Sequence, residues 1–291
     1  MTSAQSNPPV VVVTGASRGV GKGIALALGK AGAVVYVSGR STAENQHSPL
    51  PGTVLATAEE ISGHGGKGVA VVCDHRDDQQ IKSLFEQVIN EQGRIDVLVN
   101  NVFCVPDDLL EQKPFWERAD SHWSDMIDLG LRAHYVACCQ VAPQMVKQKS
   151  GLIINISSPG SVCYMHAPVY GIGKAGCDKM IQDIARELVE YNVAALGLWP
   201  GIVTTERTTA LMEMAPDAYT ELEAGLESPE FAGRIIHALL ESDDLMSHSG
   251  RAWYTSELGL ELGVTDVGGR QPASYRGMLG SPTEPAAAMI R

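Results

Sequence analysis

The sequence predicts an α/β fold: a doubly wound parallel sheet of the Rossmann type, with about seven strands and helices on both faces. Three observations predict it. Short runs of β-branched residues alternate with amphipathic segments, a glycine-rich turn joins the first run to the first helix, and no linker divides the 291 residues. Strands separated by helices form β-α-β units, which are parallel with right-handed crossovers.

The predicted strands share continuous apolar runs, as expected for strands buried on both faces of a parallel sheet. In chain order they are Val10 to Thr14, Val34 to Ser38, Gly68 to Cys73, Asp96 to Asn100, Leu152 to Ser157, Val193 to Trp199 and a candidate seventh at Ala252 to Ser256.

Between the strands, apolar residues recur every three or four positions, which is typical of helices that bury one face. Such stripes run through Val20 to Ala31, Ile81 to Ile89, Cys177 to Leu188 and Pro229 to Leu240.

Three segments interrupt this alternation: Ser41 to Gly52, Val102 to Ser121 and Thr205 to Ser228. The last two follow strands, at the carboxyl edge where ligands bind in such sheets. We predict one domain over residues 10–270, preceded by a disordered segment at 1–9. Residues 271–291 hold three prolines and few apolar anchors, so they are predicted to be loose or to form an oligomer contact.

The turn after the first strand has the spacing Gly-x-x-x-Gly-x-Gly. Glycine permits the sharp turn and the close approach of phosphate oxygens, and the helix that follows directs its first amide groups at a pyrophosphate. A tight turn without a ligand is the alternative, but the position between a buried strand and an amphipathic helix favours a dinucleotide. The predicted contacts are Gly15, Ser17, Arg18, Gly19, Val20 and Gly21.

The end of the second strand indicates which dinucleotide binds. An acidic residue that grips the ribose 2′-hydroxyl is expected about 20 residues after the glycine turn. The sequence there is Ser38-Gly39-Arg40, without a carboxylate. Arg40, together with Arg18, favours a 2′-phosphate and therefore NADP(H) over NAD(H); a solvated loop residue is the alternative for Arg40. Asp74 is predicted to bind the adenine amino group, or to cap a loop.

Tyr170 and Lys174 stand four residues apart, so they share one face of a helix, and Ser158 lies twelve residues before the tyrosine. A phenol alone is a poor acid–base group at neutral pH, but an ammonium group one turn away favours the tyrosinate. Ser158 is placed to hold the reacting oxygen by a hydrogen bond. These three residues are the predicted catalytic set.

In these motifs the chain resembles the short-chain dehydrogenase/reductase family, of the single-domain type, over roughly residues 10–256. Within the family, Ile156–Ser161, Tyr170–Lys174 and Leu198–Val203 resemble the group of dehydrogenase/reductase SDR family member 1. The matching residues are the turn Thr14–Gly21, Asn100, Asn101, Ser158, Tyr170, Lys174, Pro200, Gly201 and Thr205.

The resemblance implies an NADPH-linked carbonyl reductase that acts on bulky apolar ketones, aldehydes or alcohols. It implies that Asn100 contacts the adenosine ribose side of the cofactor and that Lys174 holds the nicotinamide ribose. It also implies a homodimer or homotetramer, paired through the helices that flank the fifth strand. The residues that would flank the nicotinamide are Pro200, Gly201, Val203 and Thr205.

Two departures from the family pattern stand out. Asn100 and Asn101 are followed by Val102 and Phe103, where the family has alanine and glycine. Gly130 stands where the family has a fourth catalytic residue, an asparagine that holds a relay water. We therefore expect proton resupply to Tyr170 through water bound to the backbone, or through another group. A non-catalytic nucleotide-binding sensor or scaffold is the alternative function.

Other residues are weaker candidates. His166 lies in the loop before Tyr170 and is a candidate substrate contact, whereas His134 is expected to be a packed helix residue. Four large side chains are candidates either for an apolar substrate pocket or for ordinary packing under long loops: Phe103, Trp116, Trp123 and Met212.

Composition excludes several classes of function. With 34 acidic and 22 basic residues the formal charge is −12, which disfavours nucleic acid as a partner. No apolar run approaches the ~18 residues of a membrane span. No spacing of Cys or His indicates a metal site, and the six cysteines form no C-x-x-C pair, so reduced thiols in the cytoplasm are expected. A small carbonyl or alcohol substrate is the predicted partner.

Overall fold

The computed structural model describes residues 7–288 and residue 290. Seven strands form one parallel sheet, as the sequence predicts. Its strands are β1 (Val10–Thr14), β2 (Val34–Gly39), β3 (Lys67–Val72), β4 (Val97–Asn100), β5 (Gly151–Ile156), β6 (Val193–Trp199) and, after a small sheet of β7 (Ile202–Val203) and β8 (Leu226–Glu227), β9 (Ala252–Tyr254).

The strands lie in the order β3-β2-β1-β4-β5-β6-β9. The direction of the chain's winding reverses between β1 and β4, where Val12 of β1 has Tyr36 on one side and Leu98 on the other. In such sheets the crevice outside the carboxyl ends of the strands at this reversal is where ligands bind. The order therefore places the loops after β1, β2 and β4 around one crevice.

Helices cover both faces of the sheet. One core packs α1, α2 and α8 on the sheet, and the other packs α3, α5 and α6 on the opposite face, because alternate side chains of each strand point to opposite sides. The helices are α1 (Gly19–Lys30), α2 (Val54–Gly63), α3 (Asp78–Gln92), α4 (Ser121–Trp123), α5 (Ala133–Gln148), α6 (Pro168–Leu188), α7 (Glu206–Met214), α8 (Phe231–Glu241), α9 (Thr255–Glu261) and α10 (Arg276–Leu279).

A π-helix, Ser124–Arg132, joins α4 to α5 and carries Gly130. It packs closely on α6, since a Cβ at Gly176 would lie 2.5 Å from Leu131 Cδ2. Wide helical turns of this kind are rare and often occur at functional sites.

The end of the predicted seventh strand differs in the structure. The strand ends at Tyr254 rather than Ser256, because Thr255 begins α9. The Thr255 hydroxyl donates to the Trp199 carbonyl at 3.2 Å and so turns the chain inward from the sheet edge.

Of the segment predicted to be disordered, residues 1–6 lie outside the described residues. Residues 7–9 have no regular secondary structure, and the Pro9 carbonyl accepts a hydrogen bond from the Val34 amide at 2.9 Å. Residues 271–288 contact the rest of the chain: Tyr275 is buried, and the Tyr254 hydroxyl donates to the Gly280 carbonyl at 2.8 Å. Arg186 Nη1 also donates to the Ala288 carbonyl at 2.9 Å.

Among residues 7–288 and 290, no helix combines the length and the apolar character that a membrane crossing requires. The same residues contain no cluster of His, Cys, Asp and Glu side chains arranged to hold a metal ion.

Candidate active site

The turn after β1 packs against the residues that follow β4. Gly15 has φ +67°, and a Cβ there would lie 2.7 Å from Val102 Cα, so glycine is required. Asn101 fastens the turn, because its Nδ2 donates to the carbonyls of Thr14 and Gly15 at 2.9 and 3.0 Å. A Cβ at Gly21 would lie 2.6 Å from the Gly15 carbonyl. The turn is therefore a fixed backbone surface that phosphate oxygens can approach.

The N-terminus of α1 already holds an anionic group. The Gly19 amide donates to Glu206 Oε2 at 3.0 Å. Glu206 is the first residue of α7, and Thr205 caps that helix by accepting a hydrogen bond from the Thr208 amide. A carboxylate thus binds at the position that the sequence predicts for a pyrophosphate.

A cavity of about 980 Å³ lies at the carboxyl edge of the sheet. It brings the predicted nucleotide turn and the predicted Tyr–Lys pair together on one surface. The predicted site residues that line it are Gly15, Ser17, Arg18, Gly19, Val20, Gly21, Arg40, Tyr170, Lys174, Val203 and Thr205.

Asn100, predicted to contact the cofactor, does not reach this cavity. It is fully buried at the end of β4, where its Nδ2 donates to Asn155 Oδ1 at 3.0 Å and contacts Cys138 Sγ at 3.3 Å. Successive residues of a strand point to opposite faces, so the neighbouring Asn101 lines the cavity instead. The structure thus places Asn101, and not Asn100, on the cavity surface, and the contact of Asn100 with the cofactor stays a prediction.

Pro200, Gly201 and Asp74 also lie outside the cavity lining. A Cβ at Gly201 would lie 2.8 Å from the Gly225 carbonyl, so glycine at this position permits close packing against the backbone at Gly225. Asp74 Oδ1 accepts a hydrogen bond from the Arg76 amide at 3.0 Å, as a loop cap does.

Arg18 and Arg40 stand at the end of the cavity beside β2. The Arg18 guanidinium donates to Ser41 Oγ at 3.0 Å and to the Gly52 carbonyl at 2.7 Å, and burial lowers its pKa. Arg40 Nη1 lies 3.6 Å from Asp74 Oδ2. Two guanidinium groups therefore flank the place where the adenosine ribose is predicted to bind.

The sequence interpretation missed His75, which lines the same end of the cavity. Its Nε2 lies 3.0 Å from Ser38 Oγ, and its Nδ1 has no partner among the described residues. Burial lowers the pKa of His75 to about 4, so the imidazole is neutral at neutral pH. No sequence spacing indicated it, because the residue after Asp74 reads as an ordinary loop position.

The predicted catalytic residues meet at the other end of the cavity. The Tyr170 hydroxyl donates to Ser158 Oγ at 2.9 Å, and Ser158 Oγ also accepts from the Gly160 amide at 3.1 Å. Lys174 is buried on the same face of α6, and its Nζ donates to the Ile156 carbonyl at 3.2 Å. Ser158 itself is buried and does not line the cavity, whereas Tyr170, to which it is hydrogen-bonded, does.

The space beside Gly130 holds an aromatic ring. A Cβ at Gly130 would lie 2.6 Å from Phe103 Cδ2, and the Lys174 Nζ lies 4.6 Å from the centroid of that ring. The side chain that fills this space is therefore a phenyl group and not an amide.

The two histidines have different surroundings. His166 lines the cavity, and its ring meets the Tyr170 ring edge to face at 5.0 Å. His134 is buried in α5, and its Nε2 lies 2.9 Å from the Val102 carbonyl. Burial lowers the pKa of His134 to about 3. His134 is thus a packed helix residue, as expected, and His166 is close to the predicted acid–base group.

Of the four candidates for an apolar pocket, Phe103 alone lines the cavity. Trp116 and Trp123 are 72% and 52% exposed, because the segment after β4 turns them outward, and Met212 lies on α7 beside the cavity lining. The apolar lining comes instead from smaller side chains: Val105, Leu109, Leu110, Leu129 and Leu211.

Comparison with known proteins agrees with this geometry. The short chain dehydrogenase family model matches residues 9–216. The chain is 41% identical to dehydrogenase/reductase SDR family member 1 of Homo sapiens over 283 residues, which cover 94% of this chain and 88% of that protein. It is 33% identical over 206 residues to the 3-oxoacyl-acyl-carrier-protein reductase FabG of Staphylococcus aureus, covering 69% and 77% of the two chains.

Among solved structures, a short chain dehydrogenase from Mycobacterium thermoresistibile superposes with a TM-score of 0.75 at 24% identity, covering 91% of each chain. This structural likeness supports the fold alone. The family-model match and the identity to the two relatives show the family. The chain belongs to the short-chain dehydrogenase/reductase family and is an oxidoreductase of that type.

Proposed function

We propose that this enzyme transfers a hydride between NADP(H) and the carbonyl or hydroxyl carbon of a bulky apolar ketone, aldehyde or alcohol. The observation that carries the proposal is the 2.9 Å hydrogen bond from the Tyr170 hydroxyl to Ser158 Oγ, in a cavity that also contains the glycine turn. One relative is named as a reductase of a 3-oxoacyl group, which supports carbonyl reduction as the direction.

The residues present fit a dinucleotide. The glycine turn is a cradle in which a Cβ at Gly15 or Gly21 would clash with the backbone, and Gly19 offers its amide at the start of α1. Asn101 stabilises the turn through its hydrogen bonds to the Thr14 and Gly15 carbonyls. When bound, the nicotinamide supplies or accepts the hydride.

The chain's own residues handle the proton and the substrate oxygen. The Tyr170 Oη holds the proton that passes to the substrate oxygen in reduction, or accepts it in oxidation. The Ser158 hydroxyl, which is hydrogen-bonded to the phenol, positions the substrate oxygen. The Lys174 ammonium lies on the same helix face, with its Nζ 5.8 Å from the Tyr170 ring centroid, where it can stabilise negative charge that develops on the phenol oxygen during the reaction.

The preference for NADP(H) rests on the charges at the end of β2. Arg18 and Arg40 both line the cavity there, with the Ser41 hydroxyl beside the Arg18 guanidinium. A 2′-phosphate carries more negative charge than Asp74, which lies 3.6 Å from Arg40 and is partly solvated, so it competes well for that guanidinium.

The preference for a bulky apolar substrate rests on the cavity wall near Tyr170. Phe103, Val105 and Leu109 pack in one cluster with Tyr170 and line the cavity, with His166 as a polar neighbour of the phenol. Burial of each additional methylene group on such a surface favours binding by about 0.8 kcal/mol.

The proposal also includes a homodimer or homotetramer in the cytoplasm. Tyr135 on α5 and Ile172 on α6 are 56% and 50% exposed, so these two helices offer apolar side chains to a second copy. All six cysteines are free thiols, which agrees with a reducing compartment.

The experiment that tests the proposal is a reductase assay. A series of ketones and aldehydes of increasing apolar size is offered with NADPH or with NADH, and oxidation of the nicotinamide is followed by absorbance. We expect kcat/KM to be higher with NADPH and to rise with apolar size. A preference for NADH, or no oxidation with any carbonyl, would contradict the proposal.

A matched pair of variants isolates the cofactor preference. Arg40→Ala should weaken NADPH binding about 10- to 100-fold, as loss of hydrogen bonds to a charged group does, while NADH binding stays unchanged. Arg234→Ala removes the same charge from an exposed position on α8 and should leave both affinities as they are.

A further inference from the structure

Phe103 and Gly130 depend on each other sterically. A Cβ at Gly130 would lie 2.6 Å from Phe103 Cδ2 and 3.0 Å from Cε2, so no other side chain at position 130 is compatible with the ring where it stands. Gly130 is buried in the π-helix, and its carbonyl contacts Cys177 Sγ of α6 at 3.3 Å. The backbone is thus held in place, and the ring takes the space that a side chain would need.

The same ring lies under the ammonium group of Lys174. The Lys174 Nζ is 4.6 Å from the Phe103 centroid and 5.8 Å from the Tyr170 centroid, and the two rings meet edge to face at 5.9 Å. Lys174 is only 7% exposed, and its Nζ donates to the Ile156 carbonyl. A cation on an aromatic face is held more strongly when water is excluded from it.

We propose that Phe103 is a positioning residue that holds the Lys174 ammonium beside Tyr170, and that Gly130 provides the space for its ring. The inference rests on the proposed function of Tyr170 and Lys174. It joins two features of the sequence, the aromatic residue after the Asn-Asn pair and the glycine in the π-helix, into one unit.

The other titratable groups around Lys174 and Tyr170 are His134, His166, Cys177 and Asp178. Burial holds the pKa of His134 at about 3 and that of Cys177 at about 12, and it also lowers the pKa of His166. Burial raises the pKa of the Asp178 carboxyl, which accepts hydrogen bonds from the Trp199 indole. All of these residues stay in place in the variants that test the proposal.

The test is a double-mutant cycle of Phe103→Leu, Gly130→Ala and the pair together. Phe103→Leu keeps an apolar side chain but removes the ring face, so kcat/KM should fall about 10- to 30-fold. The loss should fall on kcat more than on KM, because the displaced ammonium no longer stabilises the charge that develops on the Tyr170 oxygen during the reaction. Thermal unfolding serves as the control for folding.

The second arm of the cycle tests the steric link. Gly130→Ala displaces the ring and should lower kcat/KM by a factor similar to that of Phe103→Leu. In the Phe103→Leu background the same change should cost little, since no ring remains to be displaced. Additive losses, or a Phe103→Leu enzyme with kcat/KM within about twofold of the parent, would overturn the proposal.

A spectroscopic measurement separates this inference from the proposed function. The ε-methylene protons of Lys174, identified by their absence in Lys174→Ala, should be shifted upfield in an NMR spectrum by the ring beneath them. Phe103→Leu should remove that shift whether or not the enzyme reduces any carbonyl. An unshifted Lys174 signal in the parent protein overturns the positioning role, whereas a shifted signal in a protein without turnover contradicts only the proposed function.

Discussion

The carboxyl group of Glu227 is buried against the loop between β6 and α7. The Glu227 backbone carbonyl accepts a hydrogen bond from the Thr204 amide at 2.9 Å, and its Oε1 lies 2.6 Å from the Thr255 hydroxyl oxygen. Burial raises the pKa of Glu227 to about 7 from an ordinary value of 4.5. The folded state therefore favours the protonated carboxyl. The stability that results is complete below about pH 4.5 and is lost as the pH rises to about 7.

Glu227→Gln should remove this pH dependence, because the amide has the shape of the protonated acid. Relative to the parent protein, the variant should gain up to about 3 kcal/mol in the free energy of unfolding between acidic and alkaline pH. Urea unfolding at several pH values measures it, with the exposed Glu190→Gln as the matched control. If the difference in the free energy of unfolding between variant and parent stays constant with pH, the raised pKa of Glu227 is wrong.

Single residues could be predicted from the sequence where spacing alone determines their geometry. Tyr170 and Lys174 share a helix face because they are four apart, and the turn glycines have a spacing typical of a strand that leads into a nucleotide-binding helix. Which residue of the Asn100–Asn101 pair reaches the cavity surface could not be predicted, since the face to which a strand residue points depends on where the strand ends. Nothing in the sequence showed that Phe103 would lie over Gly130, as these residues meet only through tertiary packing.

At the scale of elements, α1 and α7 meet where a bound pyrophosphate is proposed. Glu206, at the start of α7, accepts a hydrogen bond from the Gly19 amide at the N-terminus of α1. An anion at a helix N-terminus gains about 0.3–1 kcal/mol, and a pyrophosphate must displace this one to bind the same amide.

Glu206→Gln should therefore bind NADPH about two- to fivefold more tightly, since a neutral amide competes less well for the helix end. Titration of the nucleotide's fluorescence measures the affinity. Glu213→Gln, an exposed change on the same helix, is the control and should leave the affinity as it is. Weaker binding by Glu206→Gln would mean that the carboxylate supports the site and does not compete for it.

The elements themselves were predictable to different extents. Buried strands have continuous apolar runs and amphipathic helices have apolar residues every three or four positions, and the structure confirms their type and order. The π-helix Ser124–Arg132 was not predicted, because its wider turns arise from packing on α6 and leave no period of their own in the sequence. The outward position of Trp116 and Trp123 likewise depends on the course of an irregular segment.

At the scale of the whole molecule, the β-α-β alternation determined the topology. The strand order β3-β2-β1-β4-β5-β6-β9 brings the turn after β1 and the loops after β4 and β5 to one edge of the sheet. A 980 Å³ cavity at that edge therefore joins residues from distant parts of the sequence, from Gly15 to Thr205. The contacts of residues 271–288 with α6 and β9 could not be predicted, because that segment lacks a periodic pattern.

The central claim is that the phenol of Tyr170 donates the proton to the substrate oxygen, or accepts it, while the hydride is transferred in this cavity. The phenol is hydrogen-bonded to Ser158 and lies on the same helix face as Lys174. Its most direct test is the turnover of Tyr170→Phe with NADPH and a carbonyl that the parent enzyme reduces. We expect kcat to fall about 100-fold or more, with NADPH affinity retained, because only the hydroxyl group is removed. Turnover close to that of the parent enzyme would contradict the account.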